Sequence, residues 1–146
     1  EPKLQDELFP IDETTPVFKD IYIKDVTCSN ARRAMYFYGL PECNINNINI
    51  ENLVVHSKKG AELFESESIT LKNIQIYPDE EPALLLNNVK DVSIDGFKTD
   101  NNLKTIFEVV GSKTKDVDIV SPYDIKKLKI GIEMNSDRIS YKKIQQ

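Results

Sequence analysis

The sequence predicts an all-β protein built as a right-handed parallel β-helix, a solenoid of about five coils with three short strands in each coil. Three observations support this: a repeat of 20–30 residues, turn-forming residues at one position of each repeat, and a composition rich in β-branched residues. Isoleucine and valine together number 27 and alanine only 4, a balance that favours strands over helices.

The repeat emerges when short stretches of alternating apolar residues are aligned with one another. Four copies begin at Ile21, Ile48, Ile69 and Val92, and a shorter fifth copy begins at Val117. Successive starts are 27, 21, 23 and 25 residues apart. A period of this length is typical of stacked coils, whereas a β-sandwich, which we keep as the alternative fold, shows turn signals about every 8–12 residues without a long period.

A second set of apolar stretches runs alongside the first. Its copies begin at Ala34, Ala61, Ala83 and Thr105, which are 27, 22 and 22 residues apart. Each repeat therefore holds an apolar stretch, a second stretch after a two-residue corner, and this third stretch. Three strands for each repeat predict one coil of a β-helix.

The corner between the first two strands is occupied by Asp25, Asn52, Asn73 and Gly96 in successive copies. These residue types tolerate a left-handed backbone conformation. Stacked coils would place them above one another about every 4.8 Å, where side-chain amides can hydrogen-bond along the stack. The column therefore predicts both the corner and the register of the coils.

The two ends of the chain depart from the repeat. Residues 1–17 contain three prolines and predict an extended segment or a cap, residues 18–120 form the coils, and residues 121–146 form an irregular end with one last strand at 128–132. A solenoid needs atypical ends. Because a strand edge and an apolar end would stay exposed, we expect the chain to self-associate through the end of a coil.

Charge and residue usage exclude several classes of function. The 24 acidic residues exceed the 19 lysines and arginines, and no basic run is longer than two, which argues against a nucleic-acid binder. No apolar stretch is long enough to cross a bilayer, so no membrane partner is expected. Cys28, Cys43 and the single His56 lack metal-site spacing, so we expect no metal or other cofactor. The cysteines could form a disulfide or remain free thiols.

Three stretches resemble a known family. They are the residues 15–23, the Gly-Leu-Pro-Glu turn at 39–42, and the Ile-Asn-Asn-Ile stretch at 45–48. They are similar to the last coils of bacterial polygalacturonase-like glycoside hydrolases of family 28, over residues 14–120. The resemblance implies hydrolysis of α-linked galacturonan with inversion by paired aspartates, on pectin or a related uronic-acid polymer, without a cofactor. It also implies a periplasmic or extracellular location, where such a polymer is met.

The catalytic signatures of that family are missing from this sequence. It has no Asn-Thr-Asp, Asp-Asp or Gly-His-Gly, and Arg138-Ile139 is followed by Ser140 instead of lysine. In the family these motifs precede the region that this chain resembles. We therefore expect a C-terminal β-helix portion of such a hydrolase, inactive on its own and with no catalytic residues. The alternative is a non-enzymatic carbohydrate-binding or structural β-solenoid.

Arg32 and Arg33 are the candidate substrate-binding residues. The resemblance places them at the corner where family members carry catalytic aspartates in earlier coils. Two guanidiniums there could bind uronate carboxylates in bidentate fashion, and a solvated arginine pair is the alternative.

Aromatic residues follow directly, and alternation in Tyr36-Phe37-Tyr38 should send Phe37 inward and both tyrosines outward. There the tyrosines could stack on sugar rings, or pack against the N-terminal segment or a neighbouring domain.

The remaining titratable side chains have simpler structural interpretations. Asp79-Glu80-Glu81 lies between prolines and predicts a solvated turn. We expect Glu42 to accept hydrogen bonds from a turn, Glu62 and Glu65 to face solvent, and His56 to be a surface or half-buried residue.

Overall fold

The chain winds into parallel strands that stack coil upon coil. The computed structural model describes residues 7–145, so the first six residues of the predicted extended segment or cap, and Gln146, lie outside the described residues. The strands are β1 (Lys19–Tyr38), β2 (Ile45–Asp95), β3 (Phe107–Val110), β4 (Lys115–Ser121), β5 (Leu128–Ile130) and β6 (Ile139–Lys143). Every pairing between these strands is parallel, which confirms the predicted parallel β-helix.

The first strand of each repeat stacks in the predicted register. Ile21 pairs with Ile48 between β1 and β2, and Val92 pairs with Val117 between β2 and β4. Val117 then pairs with Ile139 of β6. The apolar position that opens each repeat therefore forms one continuous inward column along the solenoid.

The third strand is shifted by one residue from the predicted alignment. Sequence spacing aligns Ala34 with Ala61, whereas in the structure Met35 pairs with Ala61. The cause is an irregularity in β1 between Cys28 and Ala31, where the chain carries one extra residue relative to β2. The extra residue therefore places Met35 and Phe37 toward the core, in line with Ala61 and Leu63.

The core fills the interior of the coils with stacked aliphatic side chains. Ile48, Ile69 and Val92 are each 1% exposed, and Leu71 and Leu86 are fully buried. Near the C-terminal end, Phe97 and Phe107 pack with ring centroids 5.1 Å apart. Neither cysteine forms a disulfide: Cys28 is an exposed free thiol, and Cys43 is half-buried.

The corners of the coils are columns of left-handed residues. The predicted column, at Asp25, Asn52, Asn73 and Gly96, has φ values of 57°, 56°, 54° and 73°. Two further columns were not predicted from the sequence. One precedes the first strand of each repeat, at Asp20, Asn47, Ser68, Asp91 and Asp116, and the other follows the third strand, at Glu65, Asn88 and Gly111.

Side-chain hydrogen bonds run along the predicted column. Asn73 Nδ2 donates to Asn52 Oδ1 at 2.7 Å, and Asn52 Nδ2 donates to Asp25 Oδ1 at 2.8 Å. In the column that precedes the first strands, Asn47 Nδ2 donates to Asp20 Oδ1 at 2.8 Å. Both ladders therefore end in a carboxylate at the first coil, which can accept further hydrogen bonds.

Replacing Asn52 separates the backbone contribution of the corner from its hydrogen bonds. Asn52→Val and Asn52→Gly both remove the ladder contacts, but only valine also suffers left-handed strain, which costs about 1–2 kcal/mol. We expect Asn52→Val to lower the free energy of unfolding by that much more than Asn52→Gly. Urea denaturation followed by circular dichroism measures the difference, and equal losses would contradict the assigned corner.

The C-terminal region continues the coils further than the sequence indicated. The strand expected at 128–132 is β5, which pairs with β3, and a second strand, β6, pairs with β4. Short 3₁₀ turns at Ile125–Lys127 and Ser136–Arg138 precede them. The last coils thus still contain the first and the third strand of the repeat, as β6 and β5. No helix in residues 7–145 is long and apolar enough to cross a membrane.

Candidate functional site

Arg32 and Arg33 lie where β1 turns into its third strand, as the sequence suggested, but their environments differ. Arg32 is exposed. Arg33 is half-buried, and its Nε lies 2.9 Å from Glu62 Oε2 on the next coil. The Arg33 guanidinium also lies over the Tyr36 ring, 4.4 Å from the ring centroid. A carboxylate and an aromatic ring thus hold Arg33 in place, while Arg32 faces solvent.

The two arginines are part of a larger basic strip that was not predicted from the sequence. Arg33 pairs with Lys59 in the parallel register, which places Arg32 beside Lys58. We call Arg32, Arg33, Lys58 and Lys59 the basic strip. Two dibasic pairs 26 residues apart, close to the period of the repeat, are the signal in the sequence that indicates it.

Beside the basic strip lies an aromatic face formed by Tyr36, Tyr38 and Phe64. The two tyrosine rings are stacked with centroids 6.0 Å apart, and the Phe64 ring lies 6.2 Å from Tyr36 and 5.8 Å from Tyr38. Tyr36 is 39% exposed, whereas Phe37 packs against the core, so the predicted alternation is confirmed. Phe64 joins the face because it pairs with Tyr38 across the coils.

A small groove of about 110 Å³ follows on the C-terminal side, with carboxylates along its wall. Its lining includes Lys59, Glu62, Glu80 and Glu81. Glu62 is engaged by Arg33, and Glu81 Oε2 accepts the backbone N–H of Lys104 at 2.8 Å. Glu81 therefore anchors the neighbouring coil, a role beyond the solvated turn that the sequence predicted.

Lys58 Nζ lies 3.8 Å from Glu80 Oε1, and the two side chains are 66% and 50% exposed. An exposed pair at this distance contributes little to stability. In this groove Glu62 and Glu81 are therefore held by structural contacts, whereas Glu80 is accessible to solvent.

The prediction that Glu65 faces solvent is wrong. Glu65 is 1% exposed, and its Oε1 accepts from Asn88 Nδ2 at 2.8 Å and lies 3.4 Å from Lys113 Nζ. The physical reason is the alternation of the strand: Ala61 and Leu63 face inward, so Glu65 falls on the same side, at a corner where its φ is 46°. Glu62, which was also expected in solvent, is half-buried against Arg33.

His56 is exposed, as expected, and its ring stacks on Tyr77 with centroids 4.9 Å apart. It lines a second groove of about 330 Å³ together with Lys58 and Asp79. Glu42 is half-buried, and its Oε2 is buried without a hydrogen-bond partner. Residues 7–145 contain no group of three or more His, Cys, Asp or Glu side chains that could hold a metal ion.

Comparisons with family models, curated proteins and solved structures find no significant match to this chain. The fold and the site geometry are therefore the basis for any assignment of function. What they show directly is a parallel β-solenoid that carries an aromatic face and a basic strip on neighbouring positions of its first two coils.

Proposed function

We propose that this chain is a carbohydrate-binding β-helix segment for an anionic, uronate-containing polysaccharide of the pectin or galacturonan type. The observation that carries the proposal is the aromatic face beside the basic strip. Flat tyrosine rings offer apolar surface for the face of a sugar ring, and guanidinium groups bind carboxylates through charge-assisted hydrogen bonds. The resemblance to polygalacturonase-like hydrolases supports the choice of polymer and a periplasmic or extracellular location.

Binding fits the site better than cleavage does. Inverting glycoside hydrolysis uses two carboxyl groups, one as general acid and one as general base. Of the carboxylates around the groove, Glu62 is paired with Arg33 and Glu81 accepts backbone N–H groups. Each already has a structural role in joining two coils.

A second candidate function keeps the segment inside an enzyme. The chain would be the C-terminal portion of a pectin-degrading glycoside hydrolase whose catalytic coils stack ahead of β1. The apolar, open end of the first coil favours this candidate, because Ile21 and Val26 are still 39% and 38% exposed there. In both candidates this chain itself binds the polymer without cleaving it.

Ligand binding should depend on Tyr36 and Arg32. We expect Tyr36→Ala and Arg32→Ala each to raise the dissociation constant for long oligogalacturonides about five- to tenfold, or about 1–1.4 kcal/mol. The loss in Arg32→Ala should shrink at high salt, whereas the loss in Tyr36→Ala should persist. Isothermal titration calorimetry with oligomers of defined length measures both effects.

Two control variants test whether these losses are local. Tyr22 is 61% exposed on the first strand, away from the aromatic face, and Lys72 is an exposed cation of a middle coil. Tyr22→Ala and Lys72→Ala should leave affinity within twofold of the unmodified chain. Failure of the unmodified chain to bind, or an equal loss in Tyr22→Ala, would reject the proposed site.

The 146-residue chain should release no reducing ends from polygalacturonate, because Glu62 and Glu81 are engaged in structural contacts and Glu80 alone cannot supply both general acid and general base. A reducing-sugar assay after repeated purification checks this expectation. Turnover that survives repurification and disappears in Asp79→Asn or Glu80→Gln would contradict it. Such a result would also assign chemistry to an exposed part of β2, since the structure has strand at residues 79–81 instead of the turn that the sequence predicted.

A further inference from the structure

The first coil presents an open apolar surface at one end of the solenoid. We call it the first-coil face: Phe18, Ile21, Ile23 and Phe37, which line a cavity of about 360 Å³ together with Tyr36 and Tyr38 of the aromatic face. Residues 7–14 are all exposed, so the described part of the N-terminal segment does not cover this face. Within residues 7–145, β1 has a strand partner on one side only, in β2.

The last coil presents a similar surface at the opposite end. Leu128, Met134, Ile139 and Tyr141 form the last-coil face; each is partly buried because it packs on the core from one side. Ile139 and Tyr141 occupy the same inward columns as Ile21 and Ile23, since β4 pairs Val117 with Ile139 and Ile119 with Tyr141. The two faces therefore repeat the same pattern of apolar positions.

The charges at the two faces are opposite in sign at equivalent positions. Asp20 directly precedes Ile21 in the first coil, and Arg138 directly precedes Ile139 in the last. Asp25 begins the predicted corner column, and Lys143, which pairs with Ser121 of β4, ends it. The columns that begin at Asp20 and Asp25 thus start with a carboxylate, and the equivalent positions of the last coil carry cations. Lys143 also lies 3.9 Å from Asp124, and Arg138 donates to the Ser112 and Thr114 carbonyls.

We propose that the last coil of one copy of this chain stacks on the first coil of the next copy, in the same parallel register that joins the coils within the chain. Ile139 then lies over Ile21 and Tyr141 over Ile23. Lys143 meets Asp25, and Arg138 meets Asp20. This goes beyond the proposed carbohydrate-binding function, because it joins the two ends of the solenoid; the contact also reaches Tyr36 and Tyr38 of the aromatic face.

The charges favour head-to-tail stacking over two symmetric contacts, first coil on first coil or last coil on last coil. Two first-coil faces would bring the Asp20 and Asp25 carboxylates of both copies together, and two last-coil faces would bring Arg138 and Lys143 together. Only the head-to-tail contact pairs opposite charges. A contact between different faces does not close on itself after two copies, so it builds an open series. Two like-charged pairs remain in it: Lys24 opposite Lys142, and Arg33 near Lys126 in the third strand.

Sedimentation velocity of the full chain over a wide concentration range tests the proposal. We expect a weight-average mass that keeps rising with concentration instead of levelling at a dimer. Lys143→Glu should raise the dissociation constant about tenfold, and adding Asp25→Asn should recover part of that loss because it removes the new repulsion. Asn is tolerated at the left-handed corner of residue 25, so the double variant keeps the fold.

A weaker association of Lys143→Glu could result from misfolding. A variant that we expect to associate more tightly excludes this explanation. Lys142→Glu replaces the like-charged pair with Lys24 by an opposite pair, and we expect it to lower the dissociation constant severalfold. Lys98→Glu makes the same charge change on an exposed middle-coil position and should change nothing. Thermal melts of each variant verify folding.

Three outcomes would overturn the proposal. A mass that levels at a dimer would indicate a symmetric contact, and equal effects of Lys143→Glu and Lys98→Glu would remove the role of the corner charges. A monomer at all concentrations would favour further coils of a longer chain as the natural cover of the first-coil face. Because Tyr36 and Tyr38 line the first-coil cavity, oligogalacturonide binding is measured at concentrations where the chain is monomeric, which tests the binding proposal apart from stacking.

Discussion

Phe107→Ala should lower the free energy of unfolding by about 3–5 kcal/mol, the cost of a large cavity that its neighbours cannot fill. Phe107 is 1% exposed at the point where β3 joins β2 to the last coils. Its ring packs on Phe97 at 5.1 Å and on Tyr141 at 6.3 Å. Removing it therefore separates the middle of the solenoid from its C-terminal end.

Thermal and urea denaturation, with probes at both ends of the chain, measure the effect. For a chain of this length the midpoint should fall by about 10 °C. Because solenoid coils contact only their neighbours, we also expect the C-terminal coils to unfold first in this variant. Phe9→Ala removes an exposed ring and serves as the matched control. Equal losses in the two variants would contradict the assignment of Phe107 to the core.

Gly60→Ala should destabilise the chain by about 3 kcal/mol or more, because the added methyl group has no room. A Cβ on Gly60 would collide with the carbonyl oxygens of Pro82 and Ala83 and lie 2.6 Å from the Ala83 carbonyl carbon. These are backbone atoms of the next coil, and they can move only if the stacking of the two coils changes. The glycine thus permits close approach of the chain at the start of the third strand.

Gly96→Asn is the control for this glycine. Gly96 has a φ of +73° at the predicted corner, where asparagine is tolerated and could extend the ladder above Asn73. We expect its free energy of unfolding to change by less than about 1 kcal/mol. Urea denaturation compares the two variants, and a mild effect of Gly60→Ala would show that the coils can separate locally without a large cost.

Much of the fold follows from spacing along the chain. The starts at Ile48, Ile69 and Val92 predict stacked coils because each repeat returns the same inward position to the next coil. The Asn52 and Asn73 corner was predictable for the same reason, since few residue types adopt a left-handed conformation. The column at Asn47 and its equivalents had a signal of the same kind, one polar residue directly before each apolar start.

Other features had no local signal. The extra residue between Cys28 and Ala31 shifts the third strand by one position, and nothing in the spacing of the alanines indicates where it is placed. Glu65 falls on the inward side with Ala61 and Leu63, but nothing local indicates that Asn88, 23 residues away, donates to its buried carboxylate. β6 was not predicted because its apolar alternation is limited to Ile139 and Tyr141.

The candidate site likewise has features that the sequence predicts and features that it does not. Arg32, Arg33 and the outward tyrosines could be placed on one corner and one face from the sequence alone, because their positions are set within a single coil. Which of those groups stay accessible depends on the neighbouring coil: Glu62 engages Arg33, and Phe64 completes the face around Tyr36.

By itself, the sequence determined that the chain forms stacked coils, where their corners lie and which side chains face inward, because these properties follow from periodicity and local backbone preference. Only the tertiary structure decided which charges are engaged. Arg33 and Glu62 are 29 residues apart, and their contact depends on the register that the bulge in β1 sets between two coils. A shift of one residue would reverse the facing of each side chain, so such contacts are fixed only when the coils stack.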